Sequence, residues 1–166
     1  QALNKVGLLP YGKILSPSEE MPTLTYNCIN RHISRVVRTR MVSATSPWAN
    51  DPTILEAKTH LVPISHGEGR IIISDELAKD LFAKGQVYTQ YVTEEGVPVM
   101  SEPDNPNGSM FAIEGITSLD GRILGKMGHS ERTIGALANG KSDSLLKNIS
   151  GDNCQNLFAA GVRYFN

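Results

Sequence analysis

The sequence predicts an α/β fold, and three observations carry that prediction. A capped, amphipathic helix starting at Ser74 lies between two strand-like runs, Ile71-Ile72-Ile73 and Gln86 to Val92. Two more such runs, Ile113 to Ser118 and Arg122 to Met127, flank Asp120-Gly121, the strongest hairpin signal in the chain. The segments where strands end are rich in Gly, His and Glu, and in open α/β sheets ligands sit outside the carboxyl ends of strands.

The elements follow in order. Gln1 to Gly7 reads as a helix, with Leu3 and Val6 at helical spacing and Gly7 as its left-handed cap. No N-cap residue precedes it, so the natural chain is expected to continue upstream. A Pro/Gly/Ser-rich connection runs from Leu8 to Pro22. From Thr23 to Val42, Ile33, Val36 and Val37 alternate with Arg31, Arg35, Arg38 and Arg40, which predicts strands with one polar face. Ser46 to Pro52 reads as a loop. Leu61 to Ser65 is a short apolar strand running into His66-Gly67-Glu68-Gly69-Arg70. Ser74 is a good N-cap, Asp75 and Glu76 suit the positive end of the helix dipole, Leu77, Leu81 and Phe82 form the buried stripe, and Gly85 ends the helix. Glu94 to Gly108 is turn-rich. Asp152 followed by Gln155 forms a capping box ahead of Leu157, Phe158 and Val162.

Composition narrows the function. The chain has 166 residues, enough for one domain or most of one; 40% are hydrophobic and 20% charged, with a formal net charge of -1. The basic residues form no run, which excludes binding driven by phosphate attraction, so no nucleic acid partner is expected. No apolar stretch approaches the roughly 18 residues a membrane span needs. No signal peptide is visible. Two distant cysteines, Cys28 and Cys154, suit a reducing cytoplasm better than a disulfide scaffold.

Several groups of residues could carry chemistry. His129 and Glu131 are two apart, so in an extended segment they point the same way and a carboxylate can hold the imidazole. On spacing alone the pattern more often marks a solvated loop histidine beside a surface glutamate. In His66-Gly67-Glu68-Gly69-Arg70 the glycines allow close backbone approach to a ligand and His66, Glu68 and Arg70 add polar groups; the plain alternative is a glycine-rich connection. Asn105-Pro106-Asn107-Gly108-Ser109 reads locally as a tight turn. Asn27 with Arg31 and Arg35 suits either an anion or partner site or a solvated strand face. Cys28 falls in a strand pattern and reads as a small core residue. Cys154 lies near a helix start, but no Gly-rich elbow surrounds it. His60, His66 and His129 with a glutamate could ligate zinc, yet no H-E-x-x-H or paired-cysteine spacing appears, and no metal is expected.

Taken together these motifs resemble a known family. The order is Gly7-Leu8-Leu9-Pro10, Asn27…Arg31…Arg35, Ser46-Pro47-Trp48, Pro63 to Arg70, Asn105 to Ser109, Ile113-Glu114-Gly115-Ile116, and Gly128-His129-Ser130-Glu131-Arg132. It is similar to the C-terminal class I glutamine amidotransferase domain of phosphoribosylformylglycinamidine synthase, from Gln1 to about Thr133 with a weaker echo beyond. The resemblance implies a three-layer, flavodoxin-like α/β sandwich with a largely parallel sheet, incomplete at its N-terminal side, with residues 1-166 as the C-terminal portion of the domain. It implies glutamine hydrolysis by a Cys–His–Glu triad in which His129 is the base and Glu131 orients it. Gln1 matches the final Gln of the family's Gly-x-Cys-Asn-Gly-x-Gln elbow, so the nucleophile would lie four residues before it, outside this chain. Gln1, His66, Gly67 and Glu68 become candidate substrate-binding residues.

The same resemblance implies that ammonia passes to a synthetase domain of the same enzyme, where ATP and Mg²⁺ activate formylglycinamide ribonucleotide; those cofactors would not bind this chain. The expected partners are glutamine and that synthetase domain, with oligomerisation through exposed sheet edges a further option. Without its thiol the isolated chain is expected to be inactive. Two alternatives stand beside this reading: a non-catalytic docking module, and another class I amidotransferase-like hydrolase such as a γ-glutamyl hydrolase. The family usually has Pro-His-Pro-Glu where this chain has Gly128-His129-Ser130-Glu131, which puts the stiffness of that loop in question.

Overall fold

The structure, a computed structural model, describes residues 1–57, 59–132 and 156–166. The opening segment forms α1 (Ala2–Lys5) and α2 (Leu8–Tyr11), separated by Gly7 at φ 80°. Then come β1 (Thr23–Thr25), β2 (Ile33–Met41), a 3-10 turn at Pro47–Ala49, α3 (Pro52–Glu56), β3 (His60–His66) and β4 (Arg70–Ile72). The chain continues through α4 (Asp75–Ala83), β5 (Val87–Tyr91), a second 3-10 turn at Met110–Ala112, β6 (Ile113–Thr117), β7 (Leu124–Lys126) and a final helix, α5 (Leu157–Tyr164). Strands and helices mix as predicted. Among the described residues no helix is long and apolar enough to cross a membrane. The capping box at Asp152 and Gln155, and Cys154, lie outside the described residues. In the final helix the Asn156 side chain accepts from the Ala159 amide at 3.2 Å.

Five strands form one sheet in the order β3-β2-β5-β6-β7, and β1 pairs with β4 apart from it. Every one of these pairings is antiparallel, where a largely parallel sheet was expected. The reason is connectivity. Parallel neighbours need a crossover, usually a helix, and here β6 and β7 are joined by a tight turn, with Gly121 at φ 71°. Consecutive neighbours along this sheet alternate in direction, so β3 and β7 point the same way. Both motif-bearing loops therefore leave the same end of the sheet. The sheet also curls: the amide of His129, just past β7, donates to the carbonyl of Pro63 in β3 at 2.8 Å, joining its two outer strands.

Both faces of the sheet centre are covered. All five residues of β5 and of β6 are buried. Val87 packs on one side with Ala78 and Leu81 of α4, while Tyr88 packs on the other with Leu157 and Ala160 of α5. The helix α4 starts where the sequence placed it: Ser74 Oγ accepts from the Leu77 amide at 3.2 Å. Its buried residues are Ala78 and Leu81, with Leu77 and Phe82 at the margin. Burying a leucine side chain such as Leu81 contributes about 1.5–3 kcal/mol. The loop read at Ser46–Pro52 is more structured than expected. Ser46 Oγ donates to the Gly121 carbonyl at 2.7 Å and Trp48 Nε1 to that of Arg122 at 2.9 Å, so it clamps the β6–β7 turn. The short α3 follows it and was not anticipated; Pro52 stands at its first position, where a proline is tolerated.

Candidate functional site

The first motif loop begins where β3 ends at His66, and Asn27 organises it. Asn27 is fully buried. Its Nδ2 donates to the carbonyls of His66 at 2.8 Å and Arg31 at 2.9 Å, and its Oδ1 accepts from the Gly69 amide at 3.1 Å. These contacts fix which end of the amide is oxygen. His66 Nδ1, 3.0 Å from that oxygen, must therefore be the donor. Burial, and then the neighbouring His32 and His129, push the His66 pKa down, against the opposing pull of Glu114. His66 is thus held neutral with its proton on Nδ1. Its ring lies over the backbone of Gly69, where a Cβ would come within 2.2 Å of Cε1, so any side chain there displaces the imidazole.

The loop of Asn105 to Ser109, read as a tight turn, is a turn with a buried role. Asn107 Nδ2 donates to the Gly69 carbonyl at 2.8 Å and to Tyr91 Oη at 2.9 Å. Ser109 Oγ donates to the Gly69 carbonyl at 3.2 Å and accepts from the Ile71 amide at 3.1 Å. Neutral polar groups thus pin both sides of the first loop.

The second motif loop follows β7. His129 Nδ1 lies 2.7 Å from Glu131 Oε1. A carboxylate only accepts, so Nδ1 carries the proton and Nε2 is left as the basic nitrogen. Burial works to raise the Glu131 pKa. The hydrogen bond from His129, the backbone and the charges of His129 and Arg132 outweigh it and hold the carboxyl below its ordinary value. Beneath the loop sits Glu114, fully buried in β6. It accepts from the Gly128 amide at 2.5 Å and from Thr89 Oγ1. Lys126 Nζ lies 3.8 Å from Glu114 and donates to Ser130 Oγ at 3.1 Å. Burial lowers the Lys126 pKa, against the pull of Glu114 and Glu131. The stiffness that Gly128 and Ser130 put in question therefore has a source in this chain, since each is tied to a buried charge.

The two loops meet at a cavity of about 460 Å³, lined among others by Gln1, His66, Glu114, Lys126, His129 and Glu131. Of the predicted site residues, Gln1, His66, His129 and Glu131 line it. Gly67 and Glu68 do not, although Glu68 Oε2 accepts from Gln1 Nε2 at 2.5 Å and the Gly67 carbonyl accepts from the Asn27 amide at 3.0 Å. Cys28 corrects its prediction. It is exposed in the turn after β1, not in the core, with Sγ 3.6 Å from the Pro106 carbonyl, and it does not line the cavity. Among the described residues no group of three or more His, Cys, Asp or Glu is arranged to hold a metal ion. Sequence reasoning missed Glu114 and Lys126. The available signal was a carboxylate inside the apolar run Ile113-Glu114-Gly115-Ile116.

The fold and the paired histidine and carboxylate at this cavity define a domain of the class I glutamine amidotransferase type. The chain belongs to the CobB/CobQ-like glutamine amidotransferase domain family, whose model matches residues 1–165. It is 33% identical over 177 residues to the phosphoribosylformylglycinamidine synthase subunit PurQ of Treponema denticola, covering 99% of this chain and 63% of that one. It is 30% identical over 155 residues to the PurQ subunit of Salinibacter ruber, covering 90% and 60%. The solved structure of PurLQS from Thermotoga maritima superposes with a TM-score of 0.65 at 22% identity, covering 100% of this chain and 58% of that one. The chain thus spans about three-fifths of the length of these relatives.

Proposed function

We propose that residues 1–166 are the C-terminal portion of the glutaminase part of a phosphoribosylformylglycinamidine synthase. The carrying observation is the 2.7 Å contact between His129 and Glu131 at the edge of a cavity that Gln1 and His66 also line. In this reading glutamine occupies that cavity. His129 Nε2 removes a proton from a thiol, the thiolate attacks the carboxamide carbon, and His129 returns the proton to the departing ammonia. Glu131 holds the imidazole tautomer and stabilises its charged form. Gln1, with Glu68 behind it, and His66 contact the substrate. Ammonia then serves the ATP- and Mg²⁺-dependent conversion of formylglycinamide ribonucleotide to formylglycinamidine ribonucleotide, on a synthetase partner in the cytoplasm. The names of the relatives, PurQ and PurLQS, support the assignment of reaction and partner.

No described cysteine lines the cavity, so the chain by itself is proposed to be inactive. Incubated with glutamine, it should release no more glutamate than a His129→Ala control. In the enzyme containing this segment, His129→Ala should cut glutamine-dependent product formation at least about a hundredfold, the scale of general acid–base catalysis. Synthesis from added ammonia should survive. Equal loss with both nitrogen sources would reject the glutaminase role.

A further inference from the structure

We propose that Glu114 is a positioning residue for the His129–Glu131 pair, acting through the Gly128 amide and through Lys126 and Ser130. Three successive residues are each anchored. The Gly128 amide donates to Glu114 at 2.5 Å, the His129 amide to the Pro63 carbonyl at 2.8 Å, and Ser130 Oγ accepts from Lys126 at 3.1 Å. Two of the three lead to one buried ion pair. A fully buried carboxylate is costly unless its oxygens are occupied, and here Thr89 from β5, Gly128 and Lys126 from β7 all face it.

Gly128 is wedged as well as bonded. A Cβ there would come within 2.6 Å of Val62 Cγ2 and 2.9 Å of Glu114 Oε1. The backbone entering His129 therefore sits between an apolar wall from β3 and a carboxylate from β6. Residues 128 to 131 all line the cavity, and the ties at Gly128 and Ser130 fix the backbone on both sides of His129. Glu114 lines that cavity too, but both its oxygens are engaged with the protein, which separates holding the loop from reacting with a ligand.

The role assigned to Glu114 rests on the acid–base reading of His129 and Glu131; the experiment does not. Imidazole nitrogen–proton correlation spectra of the chain, recorded at pH 8 without substrate, report the His129 tautomer. The parent should show one form, protonated on Nδ1. Glu114→Gln weakens the hold on Lys126, and Ser130→Ala removes one anchor by deleting a single hydroxyl. In both, the two ring-nitrogen resonances of His129 should move toward each other as the tautomers mix, more so for E114Q. A Glu114 that serves only folding would lower the melting temperature of E114Q and leave the His129 resonances unchanged, which overturns the proposal. If E114Q does not fold, S130A decides, because parental resonances there have the same consequence. A failure of the glutaminase assay would leave these spectra as they are, so the two ideas fall separately.

Discussion

The two loops that frame the cavity are built from opposite materials. The loop after β3 is pinned by neutral groups: Asn27, Asn107 and Ser109, all fully buried. The loop after β7 is pinned by charge, with Glu114 and Lys126 beneath it and Glu131 beside His129. Neutral hydrogen bonds hold their geometry across pH and tolerate burial if every partner is present. Ion pairs bind adjacent anchors together, but removing one member strands the other's charge. The difference suits the proposed roles. A surface that receives substrate needs a constant shape, whereas the partner of a proton-transferring imidazole needs a charge to stabilise the imidazolium.

The comparison can be tested from its largest expected effect downward. Glu114→Leu removes the buried carboxylate that faces Lys126, and unfolding in urea should show a loss of about 3–5 kcal/mol, the scale for breaking a buried pair. Asn27→Ala leaves the His66 and Arg31 carbonyls and the Gly69 amide without that partner. The same titration should show a loss of about 2–3 kcal/mol, from unmade hydrogen bonds. A larger loss for Asn27→Ala than for Glu114→Leu would reverse the assignment of the heavier burden to the charged loop.

The smallest effect is in pH. His66 has a folded pKa below its ordinary value of 6.5, so between those two values the unfolded chain binds more protons. Stability should therefore fall as pH drops through the ordinary imidazole range toward the folded value. His66→Gln should flatten the slope of melting temperature against pH in that window. Glu131 also has a depressed folded pKa. Its contribution is present above the ordinary glutamate range and is lost as pH falls through the folded value, so its signature belongs at more acid pH. A His66→Gln profile that still falls steeply near neutrality would show that another group sets the pH response there.

What the sequence made legible was local. Ser74 announced α4, Gly7 the end of α1, and Asp120-Gly121 the hairpin that delivers His129, because caps and turns are written in a few adjacent residues. The pairing of His129 with Glu131 was legible as a contact over two positions, but not its basis: the segment was read as extended, and Ser130 and Glu131 are helical. The burial of Asn27, Asn107 and Glu114 was not legible, since each bonds partners 14 to 42 positions away. Cys28 misled because its neighbours look strand-like while the chain turns there. Strand direction also escaped a reading of local pattern; it depends on which strands become neighbours, and the pairing of β2 with both β3 and β5 is a tertiary fact.

Pro63 gives the curled sheet a further property. An outer strand normally presents a row of amides and carbonyls on which a foreign strand can be templated. Along β3 that row is interrupted near its middle: Pro63 has no amide to offer, and its carbonyl already holds the backbone of His129. The contact that brings the histidine to the cavity thus also blunts the molecule against accretion by its own copies, so the placement of His129 and resistance to aggregation share one residue.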